Sequence, residues 1–122
     1  MILLDTQAFI LIDQRRPRVA ALLRGGKKLF ISPVMLLELQ VLTEAGRFKW
    51  SADFMELVAH DQRWVLDEPP SVAWFQHAAN ISWTRDPFDR LLAAHAQLRG
   101  WRLATADRNM LQHLGPRSSL EI

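Results

Sequence analysis

The chain has 122 residues, 49% of them hydrophobic and 23% charged, with a formal net charge of +2 and no cysteine. This length suits one domain, residues 1–122, with a sizeable core and no room for a second; the missing cysteines exclude disulfides and thiolate metal sites and suit a reducing cytoplasm. No apolar run reaches the roughly 18 residues of a membrane span, so a soluble chain is expected, and the slight positive charge permits a polyanionic partner without requiring one.

The opening stretch, MILLDTQAFILIDQRR, is apolar but holds Asp5 inside the run and its arginines after it, the wrong charge order for a secretory signal. Ile2 to Asp5 predicts a buried strand, followed by a helix that continues toward DQRRPRVAALLRGG and stops at Gly25 and Gly26. KLFIS reads as a second strand. In SPVMLLELQVLTEAG a helix is expected with Ser32 as N-cap, Pro33 at the first helical position and Gly46 past the end. SADFMELVAHDQ predicts a short helix capped by Ser51, RWVLDEPP a third strand broken by its prolines, and SVAWFQHAANI a further helix. DPFDRLLAAHAQLRG predicts a helix with Asp86 as N-cap, Pro87 next and Gly100 after it; WRLAT and SSLEI give the last two strands. Strands alternating with helices imply an α/β fold, a central parallel sheet of about five short strands flanked by helices on both faces. No internal repeat, low-complexity tract or Gly/Ser linker interrupts it.

In open α/β sheets functional groups gather at the carboxyl ends of the strands. Asp5 closes the first strand and Asp107 lies just past WRLAT, so a parallel sheet puts both on one rim. The plainer reading of either residue is a turn or a helix cap. Glu38 carries more information, because its helical neighbours Val34, Met35, Val41 and Leu42 are apolar and predict an inward-facing carboxylate. Such a group must be neutralised, paired or bound to a metal; an arginine partner is the structural alternative. Asp89, followed at the helical spacing by Leu92 and Ala93, also faces inward at a helix start. Four acids, Asp5, Glu38, Asp89 and Asp107, can thus be brought to one rim of one domain. Hard oxygen donors without cysteine, and without an H-x-x-x-H spacing, favour Mg²⁺ or Mn²⁺ over zinc, and such ions serve phosphodiester hydrolysis.

The segments MILLDTQAFI, ISPVMLLELQVLTEAGRF, RDPFDRLLAAHAQLRG and LATADRNM, in this order and spacing, resemble the four acidic motifs of PIN-domain ribonucleases, specifically the VapC-type toxins of toxin–antitoxin pairs. The resemblance spans nearly the whole chain. It implies a single PIN-like domain whose catalytic and metal-binding acids are Asp5, Glu38, Asp89 and Asp107, with Thr6 and Thr105 as polar support. It further implies Mg²⁺- or Mn²⁺-dependent cleavage of RNA, a small cognate antitoxin and a homodimer. Two departures bear on substrate choice: Gln7 stands where many relatives have histidine, and MLLELQVL lacks the tryptophan that often precedes the glutamate.

Rival functions fail on particular residues. A phosphorelay receiver needs a late lysine, and the last here is Lys49; a haloacid-dehalogenase-type phosphatase needs D-x-D, and the chain offers Asp5-Thr6-Gln7. No P-loop occurs. A DNA-directed nuclease of related fold and a non-catalytic RNA- or protein-binding PIN module stay open as alternatives. His60, His77, His95 and His113 are scattered and receive no catalytic role. The five tryptophans are read mainly as packing residues, in part as a stacking or partner surface. Arg15, Arg16 and Arg18 form a small basic cluster, and Arg85, Arg90 and Arg108 flank the acidic rim, where they can meet phosphates.

Overall fold

Each short strand divides its side chains between two layers, as the period-two geometry of a strand requires. In a computed structural model that describes residues 1–49, 56 and 60–122, these strands are β1 (Ile2–Leu4), β2 (Leu29–Ile31), β3 (Val65–Leu66), β4 (Arg102–Thr105) and β5 (Ser119–Glu121). They form one sheet in the order β3-β2-β1-β4-β5, every pairing parallel. Ile2, Leu4, Leu29, Ile31 and Ala104 join one core cluster with α1 (Thr6–Asp13), α2 (Ala20–Arg24) and part of α3 (Val34–Glu44). Leu3, Phe30 and Leu103 join a second cluster with α4 (Ser71–Ala79), α5 (Pro87–Arg99) and α6 (Arg108–Leu114). The expected α/β architecture, helices on both faces of a five-stranded parallel sheet, is therefore present. No helix among the described residues is long and apolar enough to cross a membrane.

The strand order reverses between β1 and β4. From β1 the chain moves outward to β2, and it later returns to pair β4 on the other side of β1. α1 leaves the end of β1 on one face while α6 leaves the end of β4 on the other, which opens a crevice of the kind where ligands bind in open α/β sheets. α3 straddles both layers: Val34 belongs to one core cluster, Met35 and Leu39 to the other. That position carries Glu38 to the crevice.

Local differences from the expected elements have identifiable causes. The first helix does not run on toward Gly25; it ends at Asp13, and Pro17, which cannot donate a backbone hydrogen bond, opens a 3-10 turn (Pro17–Val19) before α2. Arg15 takes a left-handed conformation (φ 55°) and the N–H of Arg16 donates to the carbonyl of Leu11 at 2.9 Å, a Schellman-type stop built without glycine. α3 begins at Val34 with Pro33 in the capping position, one residue later than the expected Ser32 cap; Ser32 Oγ accepts only a long 3.4 Å bond from the N–H of Val34. Val41 is 43% exposed rather than part of the apolar stripe around Glu38. α6 was not anticipated, being one of the shortest helices and opening on polar Arg108 and Asn109. The helix expected after Ser51 lies outside the described residues. α5 matches its expectation, with Asp86 as N-cap, Pro87 first and Gly100 closing the helix at φ 68°.

Candidate active site

A cleft of about 530 Å³ opens at the crevice between β1 and β4, and Asp5, Glu38, Asp89 and Asp107 all line it. Four elements deliver them. Asp5 follows β1 and caps α1, its Oδ1 accepting the Ala8 N–H at 2.7 Å. Asp107 follows β4 and caps α6, Oδ1 accepting the Met110 N–H at 2.9 Å. Each cap spends one carboxylate oxygen on a helix end, so the plain reading of these residues and the chemical one hold together. Asp89 occupies the first turn of α5, while Asp86 does the capping by accepting from the N–H groups of Phe88 (2.8 Å) and Asp89 (3.2 Å). Glu38 comes from the middle of α3.

Two buried threonines tie the acids together. The Thr6 hydroxyl donates to Glu38 Oε1 across 32 residues of sequence. The Thr105 hydroxyl bonds the Asp5 carboxylate and accepts the Asp107 N–H at 3.0 Å, linking the ends of the two central strands. Burial pushes Asp5 up to about 6, against the lowering effect of its bonds from Thr105 and Ala8, and the charges of Glu38 and Asp107 push the same way. Asp89 is raised to about 7, first by burial and then by Asp86, Asp107, Glu38 and Asp5. Glu38 is also raised, by burial first, with the Thr6 bond opposing. Asp5, Glu38 and Asp89 thus each favour the protonated form more than a free carboxylate does, an effect that a cation entering the cleft would offset. Among the described residues no three His, Cys, Asp or Glu side chains close into a ready ligand cage. The acids line one cleft from four separate elements.

Residues 2–115 match the PIN domain family. The chain belongs to that family. A curated relative, ribonuclease VapC22 of Mycobacterium tuberculosis, is 34% identical over 93 residues, which cover 74% of this chain and 71% of the relative. Among solved structures, a toxin–antitoxin complex from Klebsiella pneumoniae superposes with a TM-score of 0.72 at 16% identity, each chain covered fully. VapBC2 from Rickettsia felis, bound to a DNA fragment from its promoter, gives 0.67 at 17% identity, covering 100% of this chain and 99% of that one. At this identity the likeness is one of fold.

Within this PIN domain the cleft also holds a residue that the acidic motifs did not single out. Arg47 lines it beside the turn that ends α3; in the sequence it is only a basic residue after the helix-stopping Gly46, which by itself marks no site. The arginines expected to flank the rim are largely occupied elsewhere: Arg90 donates to the Thr84 carbonyl at 2.7 Å, and Arg108 pairs with Glu121 at 2.9 Å. His95 is fully buried and bonds Asp67 at 2.7 Å, while Arg99 holds the same carboxylate at 2.9 Å. Burial holds His95 below the usual imidazole range despite the Asp67 bond, consistent with a core residue. The tryptophans mostly pack: Trp64 and Trp74 are buried, Trp101 stacks on Phe30 at 4.1 Å and Trp83 on His113 at 4.8 Å. Trp50 lies outside the described residues.

Proposed function

We propose that the chain is a metal-dependent endoribonuclease, the toxin of a toxin–antitoxin pair, and that Asp5, Glu38, Asp89 and Asp107 hold Mg²⁺ or Mn²⁺ and carry the hydrolysis. The observation that supports this most is the convergence of four carboxylates from four elements on one cleft at the reversal of strand order. Kinship with a VapC ribonuclease supports the reaction class.

Bound in the cleft, Mg²⁺ or Mn²⁺ supplies a Lewis acid that lowers the pKa of water and offsets charge on a phosphodiester undergoing in-line displacement. The chain's own residues prepare the place. Asp5 is fixed by its cap bond and by Thr105, so one carboxylate edge is immobile while the rest faces the cleft. Thr6 sets the rotamer of Glu38. Asp89 and Asp107 complete the lining from the starts of α5 and α6. Because Asp5 and Asp89 are held above ordinary carboxylate values, at about 6 and about 7, exchange of their protons for a cation lies close to neutral pH.

The proposed partner is a small antitoxin whose apolar helix or extended segment covers grooves between helices and turns a basic side chain toward the acidic rim. Val72 and Phe75 on α4, 70% and 57% exposed, and Leu36, Leu37 and Val41 on α3 are apolar surface available for such cover or for a homodimer. The test of the activity is cleavage of RNA by the purified chain with Mn²⁺ or Mg²⁺. Activity stopped by EDTA and absent from Glu38→Gln is expected, and undiminished cleavage in EDTA contradicts the metal mechanism.

A further inference from the structure

We infer that Arg47, on the wall of the acidic cleft, anchors a phosphate of the substrate RNA away from the acids themselves. This rests on the ribonuclease reading of the same cleft. A rim of four carboxylates repels a polyanion wherever the strand is not in contact with a bound cation, so productive binding needs a positive group beyond the acids. Arg47 is the basic side chain among the residues lining the cleft. Its guanidinium forms no ion pair among the described residues, whereas Arg63, Arg99 and Arg108 are each paired with a carboxylate and Arg102 is bonded to the Ser119 carbonyl.

Its backbone is held in place. Gly46 adopts φ 71° and the Arg47 N–H donates to the Leu42 carbonyl at 2.9 Å, a Schellman-type closure of α3, while the next residue, Phe48, is buried in the core. Glu38 lies on the same helix, six residues before its end at Glu44, or about 9 Å of helical rise. That offset separates Arg47 from Glu38 along the wall of the cleft, so it would meet a phosphate other than the one held at the acids. A guanidinium presents a fork that matches two phosphate oxygens, which a lysine ammonium does not. Arg47 is therefore a positioning residue whose removal weakens substrate binding and spares the chemical step.

The test pairs fluorescence anisotropy of a short labelled single-stranded RNA, measured over a range of NaCl concentrations, with cleavage kinetics in Mn²⁺. Arg47→Gln is expected to weaken binding about tenfold and to reduce the magnitude of the slope of log affinity against log salt by about 0.7. It should raise KM in proportion with kcat within about twofold, and Arg47→Lys should fall between it and the parent chain. Arg24→Gln, on an exposed arginine outside the cleft, should match the parent, and circular dichroism should show all three variants folded. An unchanged salt slope and KM for Arg47→Gln would overturn the anchor, as would a loss confined to kcat. A chain that cuts RNA with the slope unchanged refutes the anchor alone. A chain that binds RNA through Arg47 and never cuts it refutes the ribonuclease reading alone.

Discussion

Asp5 divides its carboxylate between two tasks, capping α1 through Oδ1 and facing the cleft with what remains. Asn keeps the capping oxygen and removes the charge. With its folded value raised from 3.8 to about 6, Asp5 binds a proton in the folded chain that the unfolded chain has released, so its contribution favours folding in mild acid and turns against it as pH rises from the unfolded value through about 6. Asp89, raised to about 7, acts in the same direction in a more solvated setting. In EDTA near neutral pH, Asp5→Asn should therefore raise stability by about 1–3 kcal/mol while abolishing most activity; urea unfolding checks the first and RNA cleavage the second. A strongly unfolded variant would make Asp5 a structural residue. Activity should rise with pH across about 6 to 7 as these acids lose their protons. Raising Mn²⁺ should move that rise to lower pH, because the cation favours the ionised carboxylates. A pH–rate profile insensitive to Mn²⁺ would contradict carboxylate ligation.

At the scale of single elements, the start of α5 separates two neighbouring aspartates. Asp86 accepts two backbone N–H bonds, and Asp89, one turn on, lines the cleft. Asp86→Asn should keep stability and most activity, whereas Asp86→Ala should cost about 0.5–2 kcal/mol. Asp89→Asn should preserve the fold and remove most cleavage. The reverse pattern, measured by thermal melts and nuclease assays, would shift the third acidic position to Asp86. This cap was legible because Asp-Pro opens and Gly closes the helix, punctuation with a physical cause. α6 was not legible. Its seven residues offer too short an apolar period, and Asp107, which caps it, reads in the sequence equally as a turn residue or a helix cap. The break after Asp13 was hidden for another reason: a left-handed arginine, not a glycine, stops α1.

Over the whole molecule, periodicity announced the parallel α/β plan, but the strand order that creates the crevice depends on contacts between distant segments. The acidic residues and Thr6 and Thr105 could be named from their motifs. Arg47 could not, because a basic residue after a helix-ending glycine is ordinary surface composition until the cleft wall is known. The Asp67–His95–Arg99 network, joining β3's end to α5, was equally invisible, since its members are 28 and 32 residues apart. The partner prediction belongs at this scale too. Coexpression with the neighbouring reading frame should yield a stable complex, and replacing Val72 and Phe75 together by serine should weaken antitoxin binding or dimerisation while leaving RNA cleavage intact; failure to associate at micromolar concentration counts against the pairing.

The central claim, that four carboxylates gathered at one strand reversal bind a divalent cation to cut RNA, is tested most directly by crystallography of the chain soaked with Mn²⁺, using the anomalous signal of the metal. The account predicts a Mn²⁺ peak in the cleft within coordination distance of oxygens of Asp5, Asp89 or Glu38, lost in the Asp5→Asn chain. A cleft that stays empty at Mn²⁺ concentrations supporting full RNA cleavage, or a metal bound elsewhere, would contradict it.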